Sequence, residues 1–376
     1  MLTSRGQHRY EELDSLRGLA ALVVAVSHVF LFWNRPYPHW RVLLSQSPFG
    51  LLIDGPDAVY VFFVLSGFVL FLPYLRPVGP GPYRDYLIKR ICRIYLPYLV
   101  ALGLAIAADL LFYRPGVTAM FPDWDNWHRP FPTHAVWQHL AFVWQPNLIE
   151  FSTTFWTLGQ EIRLSIVYPL IAFLALRLSL FRGYLVSVAI CFTGFFLAEH
   201  FHVFDLRTIG YGGLFVMGAL VARHLPEIRS FMDARGWFGR SMVFVVSIAF
   251  YKSTHLLPQK YYQFWAIVPL HGTGAILILV LALTTVHFKQ FLHLGPLHWL
   301  GKISYSLYLL HAMVFYSLAS VYWTRTTHHI FLLLGGLAFS LVLSAGFYHW
   351  VERPSILLGR LLTRREPATV VVPTAV

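Results

Sequence analysis

Apolar stretches about as long as a bilayer is thick recur along this chain, and they limit its possible folds more than any other feature. A helix needs about 20 apolar residues to cross the hydrocarbon layer. Ten stretches approach that length, at 13–33, 58–75, 94–113, 156–176, 183–199, 208–223, 237–252, 264–286, 303–323 and 330–351. Composition closes the alternatives. Only 12% of the residues are charged, whereas soluble domains carry about 25%. With 57% hydrophobic residues, the chain is also too apolar to be disordered. The reading is an all-α polytopic membrane protein of about ten transmembrane helices. Residues 1–354 form one transmembrane domain and 355–376 a short cytoplasmic tail, with no folded soluble domain appended. The first apolar run is long and lacks a small-residue cleavage site, so it is read as a retained helix, not a signal peptide.

Loop charge orients the bundle. Lys and Arg number 29 against 17 Asp and Glu, a net charge of +12. With the N-terminus in the cytoplasm, 20 of the 29 fall on the inner side and 8 on the outer, while Arg163 lies within a stretch. Cytoplasmic loops carry the Lys/Arg excess in membrane proteins. Both termini are therefore expected in the cytoplasm, and the protein in the inner (cytoplasmic) membrane. The acidic residues divide evenly between the sides, so the whole positive excess faces inward and gives no case for nucleic acid. Cys92 and Cys191, the two cysteines, make neither a disulfide framework nor a metal site.

Ionisable side chains at membrane depth are costly and default to functional candidates. Arg17 and His28 are eleven residues apart, about 20° past three helical turns, so they share a face about 16 Å apart along the axis. Arg17 sits near the inner surface, in reach of Asp14, and His28 in the outer half. A groove along that face would touch both. Glu161 and Arg163, two residues apart in WTLGQEIRLSIVYP, point to different faces, so each needs another partner. Ser304, Tyr308 and His311, at spacings of four and three, form a stripe that fits either a packing seam or the wall of a polar cavity. Ser66-Gly67 interrupts an apolar run, and Gly67 reads first as a close-packing site. Arg90 and Arg93, one turn apart in KRICRIYLPY, fit a positive-inside anchor or a bidentate phosphate clamp. His271, His349 and Asp109 read as packing residues. The segment 114–155 holds Trp124, Trp127, Trp137 and Trp144 with Asp123, Asp125, His128, His134 and His139. It reads as an interfacial aromatic belt or a lid over an acceptor.

Taken in order, LDSLRGLAALVVAVSH, FFVLSGF, KRICRIYLPY, WTLGQEIRLSIVYP, SYSLYLLH and VERP resemble the acyltransferase 3 family of integral membrane O-acyltransferases. The resemblance runs from about residue 13 to 354. It carries over residue by residue to Arg17 and His28, Ser66 and Gly67, Arg90 and Arg93, Glu161 and Arg163, His311, and Glu352 with Pro354. It implies transfer of an acyl group, usually acetyl, from cytoplasmic acyl-coenzyme A. The acceptor it implies is a hydroxyl of an extracytoplasmic or lipid-linked glycan, or of a small molecule such as a macrolide. It implies no metal. Many members carry a further hydrolase-like domain, and its expected absence here would leave direct transfer or a separate extracytoplasmic transferase as partner.

On that resemblance, His28 is the general base and Glu161 orients it or holds the acceptor. Arg17, Arg90 and Arg93 meet the donor phosphates, and Ser66, Arg163, Tyr308 and His311 contact the acceptor or the oxyanion. The competing class is a transporter or flippase for an amphiphile. Transporters show inverted repeats and matching broken helices, and the sequence displays neither.

Overall fold

A computed structural model of the chain describes residues 10–33, 47–115, 127, 133–141, 149–253 and 264–363. Among the described residues every regular element is helical. The helices are α1 (Glu11–Trp33), α2 (Gly55–Phe71), α3 (Tyr83–Phe112), α4 (Thr133–Ala141), α5 (Phe155–Ile166), α6 (Tyr168–Arg177), α7 (Leu180–His200) and α8 (Arg207–Arg223). They continue as α9 (Leu225–Ala234), α10 (Gly236–Tyr251), α11 (Phe264–Thr284), α12 (Val286–Leu292), α13 (Gly295–Tyr322), α14 (His329–Phe347) and α15 (Arg353–Leu362). Among the described residues eight helices are long and apolar enough to cross a membrane, namely α1, α2, α3, α7, α8, α11, α13 and α14, and the bent pair α5–α6 makes a ninth if it is one span. The tenth expected stretch is α10, whose 16 residues rise only about 24 Å, short of a hydrocarbon layer about 30 Å thick.

Outward-facing side chains fit the bilayer reading. Leu170, Phe244, Val245, Phe331 and Val342 are all more than half exposed. In water such apolar cover would be an aggregation surface, whereas lipid chains solvate it. Inside, α13 is the most buried span and packs most extensively against α1. Two glycines permit that crossing. A Cβ on Gly18 would stand 2.5 Å from the Gly301 backbone nitrogen, and one on Gly301 2.5 Å from the Asp14 carbonyl oxygen. Membrane helices lacking a hydrophobic drive to associate rely on such small-residue contacts. Gly67 does the same between α2 and α8, where its Cβ would meet the Phe215 carbonyl at 2.1 Å. Close packing accounts for it.

Two element boundaries differ from expectation for one physical reason. Hydropathy windows stop where charges begin, but helices continue. The basic segment before residue 94 is helical from Tyr83, because Arg and Lys are good helix formers whose stems can lie along apolar surface. Residues after 354 likewise continue as α15, which packs against α3. The boundary placed at 354 therefore falls inside a helix.

The span expected at 156–176 is broken, with α5 and α6 meeting at a 62° bend. Pro169 sits in the first turn of α6, where its missing N–H leaves the preceding carbonyls without helical partners. Helix α3 supplies partners instead. The Tyr86 hydroxyl donates to the Ser165 carbonyl (3.0 Å) and the Tyr83 hydroxyl to the Ile166 carbonyl (2.6 Å). Arg90 donates to Ser165 Oγ through Nε (3.0 Å) and Nη2 (2.8 Å). A cation at a helix C-terminus also suits the dipole. No second broken span is found among the described residues, so the matching pair of an inverted-repeat transporter is not present there.

Short helix α4 lies in the Trp-rich segment. Its His139 is held by the Tyr98 hydroxyl, which is 2.8 Å from Nδ1 and 3.2 Å from the His139 carbonyl. Burial against Phe151 and Phe155 pushes the imidazole down to about 4, because desolvation disfavours its charged form. Trp124, Trp144, Asp123, Asp125 and His128 lie outside the described residues.

Candidate active site

A cavity of about 1270 Å³ opens between α1, α2, α3, α5, α13 and α15. Small-ligand pockets usually measure about 300–1,000 Å³, so this one suits a larger molecule. One end is cationic. Arg17, Arg76, Arg90, Arg93, Lys302, Arg353 and Arg360 line the cavity, against the carboxylates Asp14, Glu161 and Glu352.

Those carboxylates are already engaged. Asp14 lies 3.7 Å from Arg17, one turn away on α1. Glu161 Oε1 accepts from Arg90 Nη2 at 2.7 Å and from Ser66 Oγ at 3.3 Å. Glu352 is buried and accepts from Ser306 Oγ at 2.6 Å. It sits at the end of a π-helical turn, Tyr348–Glu352, a local widening that recurs at functional sites. Arg90 is therefore bound to Glu161 and Ser165 and helps fix the end of α5, while Arg93 on the next turn stands exposed in the cavity.

The other end of the cavity is a hydroxyl pair. Thr157 Oγ1 and the Tyr308 hydroxyl are 2.6 Å apart, and both line the cavity. The Tyr308 ring touches the His311 ring at 6.1 Å between centroids. His311 in turn meets His28 edge-on at 5.0 Å and 69°. Both imidazoles donate Nδ1–H to a backbone carbonyl one turn back, His28 to Val24 (2.8 Å) and His311 to Leu307 (2.7 Å). A proton fixed on Nδ1 leaves Nε2 as the basic nitrogen of a neutral ring. His28 Nε2 is 3.2 Å from Thr153 Oγ1, which also accepts from the Tyr316 hydroxyl at 3.1 Å. His311 Nε2 is buried and has no hydrogen-bond partner among the described residues.

The expected site residues thus divide. Arg17, Ser66, Arg90, Arg93, Glu161 and Tyr308 line one cavity. His28 and His311 stand together just beyond its Thr157–Tyr308 end, so the cavity reaches Arg17 but not His28 on their shared face. Glu161 meets Arg90 and Ser66, not His28. Arg163 turns away, to Asp205 Oδ1 at 2.5 Å and Thr208 Oγ1 at 3.4 Å, outside the cavity lining. The spacing argument that each needs a separate partner is borne out by these contacts. Thr153, Thr157, Ser165 and Tyr316 were not singled out, and Arg76, Lys302, Arg353 and Arg360 were read only as topological charge. A lone hydroxyl residue carries no distinguishing sequence signal, whereas the repeated basic residues at inner ends did carry one. His271, read as packing, is buried 2.6 Å from Asp57, away from the cavity.

Membrane-length helices thus surround a cation-lined cavity, with two imidazoles just beyond its Thr157–Tyr308 end. A family model described as an acyltransferase domain matches residues 10–349, and the chain belongs to the acyltransferase 3 family. It is a multi-pass membrane acyltransferase. It is similar to the O-acetyltransferase PaAT-1 of Phomopsis amygdali, 24% identical over 373 residues that cover 81% of this chain and 72% of that one. No solved structure matches. No group of three or more potential metal ligands occurs among the described residues.

Proposed function

We propose that the protein transfers an acetyl group from cytoplasmic acetyl-coenzyme A to a hydroxyl of an extracytoplasmic or lipid-linked glycan. The observation that carries this reading is one cavity lined by seven cations and by the Thr157–Tyr308 hydroxyl pair, with the Tyr308 ring against His311 of the imidazole pair. The cations suit phosphates, the volume leaves room for a pantetheine arm, and the hydroxyl pair suits acyl transfer. The similar O-acetyltransferase supports acetyl as the group and oxygen as the acceptor atom.

In the proposed chemistry the acceptor oxygen attacks the thioester carbonyl carbon while His28 Nε2 takes its proton. The Tyr308 hydroxyl donates to the developing oxyanion. The C–S bond then breaks, and the imidazolium returns the proton to the coenzyme A thiolate. Thr153 Oγ1 occupies the hydrogen-bonding position on Nε2 that an acceptor hydroxyl would take. Glu161 acts by holding Arg90 and Ser66 in the cavity wall. With α10 crossing as a short tenth span, the cationic mouth and both termini would face the cytoplasm.

The test is label transfer by purified protein in lipid, using radiolabelled acetyl-coenzyme A with a cell-envelope glycan extract. His28→Ala should slow transfer about 10²- to 10⁴-fold while the protein still inserts and runs as a single species. Near-normal transfer by that variant removes His28 as base. Label moving only to small hydroxylated molecules changes the acceptor class, and vesicle uptake without transfer supports a transporter. Transfer that requires added membrane extract calls for a separate extracytoplasmic transferase.

A further inference from the structure

Helix α15 places a cationic stripe at the cavity mouth beyond the region that the family model matches, which ends at residue 349. Arg353, Ile356, Leu357 and Arg360 all line the cavity. Their spacing is i, i+3, i+4, i+7, so one face of the helix supplies them. The adjoining face carries Leu358, Leu361 and Leu362, which are exposed and suited to the headgroup boundary of a bilayer. The helix thus lies with lipid on one side and the cavity on the other. Gly359 sets its position, since a Cβ there would stand 3.0 Å from the Cys92 Cβ and 3.4 Å from the Lys89 Cα. That contact seats α15 on the turn of α3 that bears Arg90 and Arg93. Arg76 follows the short helical turn Leu72–Leu75 and lines the same mouth.

Charge accounting separates these arginines from the rest. Arg17 and Arg90 have carboxylate partners. Among the described residues, no carboxylate lies within ion-pair distance of Arg76, Arg93, Arg353 or Arg360, and Lys302 shares that state. Like charges gathered around one opening repel one another and are stabilised by an anion. Guanidinium groups on converging walls match phosphate oxygens in fork geometry.

We propose that Arg353 and Arg360 of α15, with Arg76 across the mouth, form a phosphate subsite that holds the nucleotide end of the donor. The inference rests on the acyl-coenzyme A reading above and adds an element that the family match does not reach. Arg93 stands deeper and takes the phosphate nearer the pantetheine arm. Helix α15 is then part of the donor site, and the segment read as the start of a tail contributes to binding.

Binding of coenzyme A to full-length protein in phosphatidylcholine nanodiscs, measured by calorimetry, tests this. Arg353→Gln with Arg360→Gln should weaken coenzyme A at least tenfold, and Lys at both positions should restore most of the loss. Arg76→Gln, outside α15 and independent of how that helix folds, should weaken it about threefold, as loss of one partly exposed charge-assisted contact would. Raising salt should reduce wild-type affinity more than that of the double variant, because the contacts at the mouth are screened. Unchanged affinity in both the double variant and Arg76→Gln overturns the subsite and leaves the donor reading standing. No coenzyme A binding by the wild type brings down both. Anionic lipids supply the same phosphate chemistry, so the assay is paired with phosphatidylglycerol retention in mixed nanodiscs. Loss of lipid retention with unchanged coenzyme A affinity assigns the arginines to the membrane and overturns the proposal.

Discussion

Two arginines one turn apart do different work. Arg90 is held by Glu161 at 2.7 Å and by Ser165 Oγ at 2.8 Å, whereas Arg93 faces the cavity without a carboxylate at ion-pair distance among the described residues. Sequence could place both on one basic turn but could not divide their roles, because the partners lie more than 70 residues away. His28 is similar. Its depth and the face it shares with Arg17 were legible from helical periodicity, but Thr153, 125 residues distant, was not. That hydroxyl allows a specific prediction. Thr153→Val removes the partner of Nε2 while keeping shape, and Thr153→Ser keeps the hydroxyl. A net hydrogen bond is worth about 1 kcal/mol, and this one must be given up before Nε2 can take the acceptor's proton, so the Val variant should gain about fivefold in kcat, with donor KM little changed and the Ser variant near normal. Steady-state rates over a donor titration decide it. Equal kcat in Val, Ser and wild type would leave Thr153 as a spectator.

Among elements, the apolar interiors of helices were legible and their polar ends were not. The stretch beginning at 94 is the apolar part of a helix that starts at Tyr83, and the one ending at 351 runs through a π turn into α15. The bend between α5 and α6 was equally hidden, since VYP reads as apolar continuity until the hydroxyls of Tyr83 and Tyr86 are seen to satisfy the freed carbonyls. The cavity draws on these ends, the basic turns of α3 and the face of α15, together with Thr157, Leu158 and Glu161 of α5. Gly359→Leu tests whether α15 must be seated on α3. A leucine has no room beside Cys92, and overpacking costs about 1–3 kcal/mol, enough to lift a ten-residue helix. Coenzyme A affinity should fall about tenfold although no charge has been removed, and Gly359→Ala should fall less. Affinity unchanged in the Leu variant would show that the position of α15 is immaterial to donor binding.

Across the whole molecule, charge distribution and site geometry point the same way. The 20 Lys and Arg residues that the loop-charge reading assigns to the inner side include all seven cations that line the cavity, so the bias that would orient the chain also concentrates positive potential where an anionic donor would enter. Part of the excess therefore bears on chemistry as well as topology, and Arg76, Lys302, Arg353 and Arg360 could not be sorted into that part until the helices were assembled. The orientation can be measured directly. Cys92 and Cys191 are buried, leaving a quiet background for labelling. Val78, 90% exposed after the Leu72–Leu75 turn, and Phe201, 59% exposed after α7, belong to opposite ends of the bundle. Val78→Cys should react with a membrane-impermeant maleimide only in inverted vesicles, and Phe201→Cys only in intact cells. The reverse pattern would put the cationic mouth outside, away from cytoplasmic acyl-coenzyme A, and the donor reading would fail however well the cavity fits it.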